Sequence, residues 1–340
     1  MIALSHMDGA APFLLVGAAG AATPLLGAGR SRSHRAGATV CVAIPLALAL
    51  WMVVRAPLPA VDGGRAPAPV VWDAQARLLG AGVLLCALSA LSLLTGPLRA
   101  GSLRDDHRGG RASLPTEAGL LLLATLGALL LVASRDLMLL LVGLATATLA
   151  SAAMAASERR SLLACEGALK MALLGALAGA CLLYGTAVRW GATGTLSLPE
   201  PSASGAPLAT LVLLLWGIGA AFTMGLAPVH HWVPDAIEGA SGAASAWISG
   251  GFKLGGVGLA LRLLVPAGAP ADTRTCLLWV LAALSILVGS LGALSQRSLK
   301  RLLAYSGIAH AGFAAAALAA VETSPIAATR LAIFYLVCYA

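Results

Sequence analysis

Residues 226–241 read LAPVHHWVPDAIEGAS. Two prolines, two histidines, an aspartate and a glutamate interrupt a chain that is otherwise nearly hydrocarbon. Of 340 residues, 59% are hydrophobic and 11% charged, and the mean hydropathy is +0.90. Soluble domains carry about 25% charged residues, so lipid is the solvent that this composition fits. Pro228 removes one helical hydrogen bond and disturbs another, which predicts a helix broken near it. Backbone groups freed at membrane depth are tolerated only against protein or a wet cavity, and such breaks mark ion sites in transporters. The stretch therefore predicts an all-α polytopic transmembrane helical bundle with one broken helix.

Working outward, apolar runs long enough to cross a bilayer fall near 11–28, 38–54, 76–95, 117–133, 136–156, 161–187, 208–227, 240–264, 275–294, 302–320 and 326–340, about eleven spans. The last runs into Ala340 without a polar stop. A helix ending in lipid leaves its last carbonyls unpartnered, so the expectation is a chain that continues beyond this point. Of the 22 Lys and Arg residues, twelve fall on one side of these spans and eight on the other, with Lys170 and Lys253 inside helices. That imbalance makes the first side cytoplasmic and the N-terminus external. The net charge of +8 then implies no nucleic-acid partner. The six cysteines lie in apolar runs without a C-x-x-C pair, and read as small core residues. No phosphate loop, dinucleotide fingerprint, or haem or cluster ligand set is present. The expectation is no cofactor, no metal and no redox or catalytic centre in this chain, leaving transport, anchoring or both.

The charges inside the spans are the candidate site. Lys253 sits mid-span among glycines 250, 251, 255, 256 and 258, where an ammonium costs at least about 2.5–3.5 kcal/mol. Dehydration penalises the charged form of an amine, and a group poised between charge states can take up and release protons. The glycines leave space for water or a neighbouring helix. Glu166 and Lys170 are four apart on one helical face and predict an ion pair inside the sixth span, as a mutually neutralised couple that tunes insertion or as part of a proton relay. His310 lies mid-span with Ser306 one turn before it, as a proton relay or a packing residue. His230 and His231 diverge on a helix, so hydration and proton uptake at the break fit better than a zinc site with Asp235. Asp235 and Glu238 read as caps on the next helix.

LAPVHHWVPDAIEGA, then Lys253, then LSQRSLKRLLAYSGIAHAGF (294–313) resemble the antiporter-like subunits of respiratory NADH:quinone oxidoreductase, complex I, and most closely subunit N. The likeness extends through 117–144 and 158–170. It implies a fold of fourteen helices with two inverted five-helix repeats, each with a broken helix, and proton movement along a polar axis at mid-membrane depth. In those terms residues 1–116 are N-terminal helices, 117–264 the first repeat and 265–340 the start of a second, cut in its eleventh helix. Lys253 matches the family's central channel lysine, and Glu166, His230 and His310 match its polar axis or approach. The implied setting is a multi-pass protein of the cell inner (plasma) membrane, in contact with lipid, protons and other membrane-arm subunits. Two sites depart from the family. Its fifth-helix glutamate is Ala145 here, and its seventh-helix lysine is Thr223. Losing both removes an ion pair without stranding either partner. The alternatives are a subunit of a membrane-bound hydrogenase or cation/proton antiporter, or a degenerate structural subunit that conducts nothing.

Overall fold

The computed structural model describes residues 2–26, 32–56, 69–95, 113–158, 161–198, 207–265, 271–322 and 324–339. Its helices are α1 (Ile2–Ala22), α2 (Arg32–Arg55), α3 (Ala74–Thr95), α4 (Leu114–Ala133), α5 (Leu137–Ala155), α6 (Leu162–Thr193), α7 (Pro207–Met224), α8 (Trp232–Gly239), α9 (Gly242–Trp247), α10 (Lys253–Leu263), α11 (Ala271–Leu294), α12 (Leu299–Ala319) and α13 (Pro325–Tyr339). A π-helical turn, Ile248–Phe252, joins α9 to α10. Helices occupy all eleven predicted spans, with α7 and α8 forming the broken seventh and 242–263 the eighth. Seven stretches of the described chain are long and apolar enough to cross a bilayer by length and composition, among them Leu162–Thr193 and Leu208–Gly239. Boundaries differ by six residues or more at three places, one of them the start of α2 at Arg32 instead of 38. Helix α1 begins at Ile2, through polar residues that hydropathy excludes from a span but helix geometry accepts. Helix α6 continues to Thr193, where Gly194 takes φ +70 and ends it. Of the basic residues that orient the chain, Arg30, Arg65, Arg99, Arg104, Arg108, Arg111, Arg159 and Arg160 lie outside the described residues.

Local chemistry sets the helix starts. The side chains of Ser113, Asp136, Ser161 and Ser241 each accept a backbone N–H from the first turn of α4, α5, α6 and α9. Asp235 and Glu238 do not cap α9, because Ser241 occupies that role. The cysteines are not fully buried core residues either: four are exposed and two half-buried, of which Cys86 packs against the edge of the core. The exposed four lie on the outer surface of the bundle.

The break in the seventh span starts before the proline. Gly225, at φ +74, ends α7 by donating to Phe222 O (3.1 Å), while Leu226 donates to Ala221 O (2.8 Å), the paired C-terminal arrangement that favours glycine. The next free donor, Ala227 N, reaches Ser285 Oγ on α11 at 2.9 Å. Pro228 follows, and a 3-10 turn, Val229–His231, leads into α8. Phe222, Trp232 and Phe252 pack around this turn with ring centroids 5.2–6.2 Å apart, all fully buried, each contact worth about 0.5–1.5 kcal/mol beyond burial.

Helix α10 is held by close approach of backbones. A Cβ on Gly256 would lie 2.8 Å from Met224 N on α7, and one on Gly258 2.8 Å from Val132 Cα on α4. The space that these glycines leave is filled by neighbouring helices. Gly258→Ala should therefore destabilise the fold by about 1–3 kcal/mol. Gly179→Ala on α6, which would meet nothing within 4 Å, should be neutral or stabilising by up to about 1 kcal/mol. Thermal unfolding of the two variants in detergent reads the difference.

Candidate functional site

Lys253 begins α10 directly after the π turn and is 1% exposed. Its Nζ has no hydrogen-bond partner among the described residues. Its side chain runs between the break and α12: a Cβ on Gly225 would lie 3.7 Å from Lys253 Cε, and one on Gly307 would lie 2.6 Å from Lys253 Nζ. That same point above Gly307 is 3.1 Å from the Tyr339 hydroxyl. The ammonium and the phenol thus converge on a bare patch of α12 backbone that any side chain would fill.

From there polar groups continue across α12 and α13. The Tyr339 hydroxyl interacts with Ser306, and its ring stacks on His310 at 4.2 Å between centroids. His310 Nδ1 shares a 2.6 Å hydrogen bond with the Tyr335 hydroxyl. Ser306 and His310 do share a face, as their spacing predicts, and two tyrosines of α13 join them. Those tyrosines, one turn apart in FYLVCYA, were not singled out from sequence; the i, i+4 spacing of two phenols in an apolar run is the signal that marks them.

His230 is 8% exposed, with Nδ1 buried and unpartnered. The His231 ring lies 4.4 Å away between centroids, so the two rings meet although adjacent positions on a helix diverge. Both line a cavity of about 240 Å³ with Lys170, Pro234, Asp235, Arg301 and Tyr305. It is polar and has room for several waters.

An ion-pair chain frames this cavity. Glu166 and Lys170 are paired at 2.6 Å, as predicted, but they are not an isolated buried couple. They are 57% and 41% exposed at their side chains, and Lys170 also binds Asp235 Oδ2 at 2.6 Å. Arg301 then bridges Asp235 Oδ1 (3.1 Å) and Glu238 Oε2 (3.0 Å). Lys300 Nζ donates to Ala240 O at 2.7 Å, at the C-terminal end of α8, where a cation is favoured. Asp235 therefore ties α6 to α12 across the broken helix, a contact that no local spacing reveals.

The two departures also have a geometry. Thr223 is fully buried, and its hydroxyl donates to Gly219 O and Ala220 O of its own helix. Ala145 instead lies exposed on α5, so these sites do not share a dry interior. No group of three His, Cys, Asp or Glu residues that could hold a metal occurs among the described residues.

Residues 134–340 match the family described as NADH:quinone oxidoreductase/Mrp antiporter, TM. NADH-quinone oxidoreductase subunit N of Gemmatimonas aurantiaca is 37% identical over 260 residues, which is 74% of this chain and 49% of the relative. NAD(P)H-quinone oxidoreductase subunit 2 of Synechococcus sp. (strain WH7803) is 42% identical over 201 residues, 58% of this chain and 38% of the relative. The chain thus spans about half or less of the length of these curated relatives. Among solved structures, a chain of respiratory complex I from Thermus thermophilus with bound aureothin superposes with a TM-score of 0.76 at 33% identity, over 96% of this chain and 68% of that one. A chain of the Mrp complex from Dietzia sp. shares the fold, with a TM-score of 0.78 at 23% identity, over 96% of this chain and 35% of that one. With a match over more than half of its length, this multi-pass chain belongs to the NADH:quinone oxidoreductase/Mrp antiporter family of membrane proteins.

Proposed function

We propose that this chain is a proton-translocating membrane subunit of a redox-driven NADH:quinone oxidoreductase, working beside other membrane-arm subunits in a cell's inner (plasma) membrane. The observation that carries the reading is Lys253: an amine-bearing side chain 1% exposed, halfway along the eighth span, whose Nζ has no hydrogen-bond partner among the described residues. Such a group is expensive to keep in a membrane interior and is functional by default. Protons gather at the cavity around His230, within the ion-pair chain of Glu166, Lys170, Asp235 and Arg301. They pass by the break at Pro228 to Lys253, and on through Tyr339, His310 and Tyr335. The basic-residue count makes the cavity end cytoplasmic. Residues 117–264 act as one repeat, and residues 265–340 supply the start of the next. Redox chemistry belongs to other subunits.

A second reading is supported by Thr223, whose hydroxyl is satisfied within its own helix, and by the uncharged Ala145. Without that Glu–Lys pair the chain anchors its neighbours and couples weakly or not at all to redox work. The family description, which names Mrp antiporters as well, keeps a cation/proton antiporter assembly as the other setting.

Four substitutions test these readings and the geometry beneath them. In sealed vesicles of the whole assembly, Lys253→Ala should remove most redox-driven acidification per electron, since a relay group contributes about 10²-fold or more to proton transfer. Unchanged acidification would support the anchoring reading. Asp235→Asn, which releases both Lys170 and Arg301, should slow acidification and lower the melting temperature. Thr223→Lys alone should destabilise the fold by about 3–5 kcal/mol as an uncompensated buried charge. Ala145→Glu alone, at an exposed site, should leave the stability of the isolated chain in detergent within about 0.5 kcal/mol.

A further inference from the structure

Lys253 has polar company toward α12, and an apolar stretch of its own helix on the other side. Toward α12 lie the Gly307 patch, Tyr339, Ser306 and His310. Along α10 toward its C-terminus every residue from 254 to 261 is apolar or glycine, and all are buried. The glycines there press on α4 and α7 so closely that a single methyl would collide with backbone. No file of water fits between surfaces in that contact.

What holds the surfaces together sits at the far end. Arg262 is 9% exposed. Its Nη1 meets Asp73 Oδ2 at 2.7 Å, and its Nε donates to Val132 O at 3.0 Å, one of the last carbonyls of α4. Its Nη2 is buried without an acceptor. Asp73 is itself fixed, because its Oδ1 accepts from Ala76 N at 2.8 Å in the first turn of α3. Around this pair three extended segments brace one another. Val71 N donates to Ala133 O, Arg135 N to Pro69 O, and Leu198 N to Arg135 O, at 2.8–2.9 Å. One arginine therefore joins α10 to both α3 and α4 at the braced end. Arg262 is one of the eight basic residues that the charge count places on the side of the spans away from the cytoplasm, and it is buried there rather than set in a loop. A buried ion pair with an orphaned donor is a poor source of stability, so a role in holding position accounts for it better.

We propose that the Arg262–Asp73 pair is a latch that keeps the braced end of α10 proton-tight, so that Lys253 exchanges protons only toward the cavity and α12–α13. This rests on the reading that Lys253 carries protons. Arg262 is a positioning residue: it touches no proton on the path and acts by pressing α10 against α4.

The test is passive proton conductance. The intact assembly is reconstituted in vesicles with a trapped pH-sensitive dye, a potassium diffusion potential is applied, and no electron donor is present. Asp73→Asn keeps an oxygen to cap α3 and weakens the pair, and should raise the leak severalfold. Arg262→Gln should do the same. Adding Lys253→Ala to either should return the leak to the wild-type level, a reversal that general loosening of the fold does not produce. The latch is overturned if both variants assemble and neither leaks, or if the leak persists without Lys253. If Arg262→Gln does not assemble, Asp73→Asn decides alone. Redox-driven acidification by Lys253→Ala separates the two failures. Lost acidification with no leak in the latch variants removes only the latch, whereas unchanged acidification removes the proton-path reading beneath it.

Discussion

A primary amine enclosed within an apolar bundle is the constraint around which this fold is organised. Lys253 is 1% exposed, and no acceptor among the described residues meets its Nζ. Insertion of such a group costs at least about 2.5–3.5 kcal/mol, and the surrounding structure has to offset that by packing. It does so with large buried aromatics, Phe222, Trp232, Trp247 and Phe252, set around the lysine's own helix and the break opposite it. Trp247 also donates to Ser151 Oγ at 2.9 Å, fastening α9 to α5. The lysine's position is thus over-determined before any ion reaches it.

The broken helix solves a related problem. Ending a helix in a membrane interior exposes donors and acceptors that water cannot satisfy. Here Gly225 turns two of them back on α7, and Ser285, from a helix 58 residues further on, takes the third. With its backbone accounted for, the break can carry His230 and Asp235 into a polar cavity at modest cost. Pro228 prevents the helix from resuming. Glycine geometry, one turn of chain earlier, is what ends it.

The two ends of the bundle use charge differently. At one end a chain of alternating charges runs from Glu166 to Glu238, partly exposed and open to a cavity, so its members can exchange partners with little penalty. At the other, Arg262 and Asp73 are mostly enclosed, and bind backbone as well as each other. Exposure decides what an ion pair can do: screened pairs contribute little and move easily, while enclosed ones fix geometry.

Sequence alone determined the solvent, the helical class, the number of spans, the position of the break, and Lys253, His230 and His310 as the groups out of place in lipid. Each follows from composition or local pattern, because hydropathy and proline chemistry act within a few residues of chain. Only the tertiary structure decided which of those groups meet. Asp235 and Arg301 lie 66 positions apart, and Lys253 and Tyr339 86 apart, so no spacing rule links them. It also decided which faces are covered. Ala145 and the Glu166–Lys170 pair fall on the outside, Arg262 falls inside, and four of the six cysteines turn outward. In an apolar chain both faces of a helix read alike, since lipid and protein interior ask for the same side chains. Which face is buried is fixed by close contact between backbones, and that depends on the neighbour as much as on the residue.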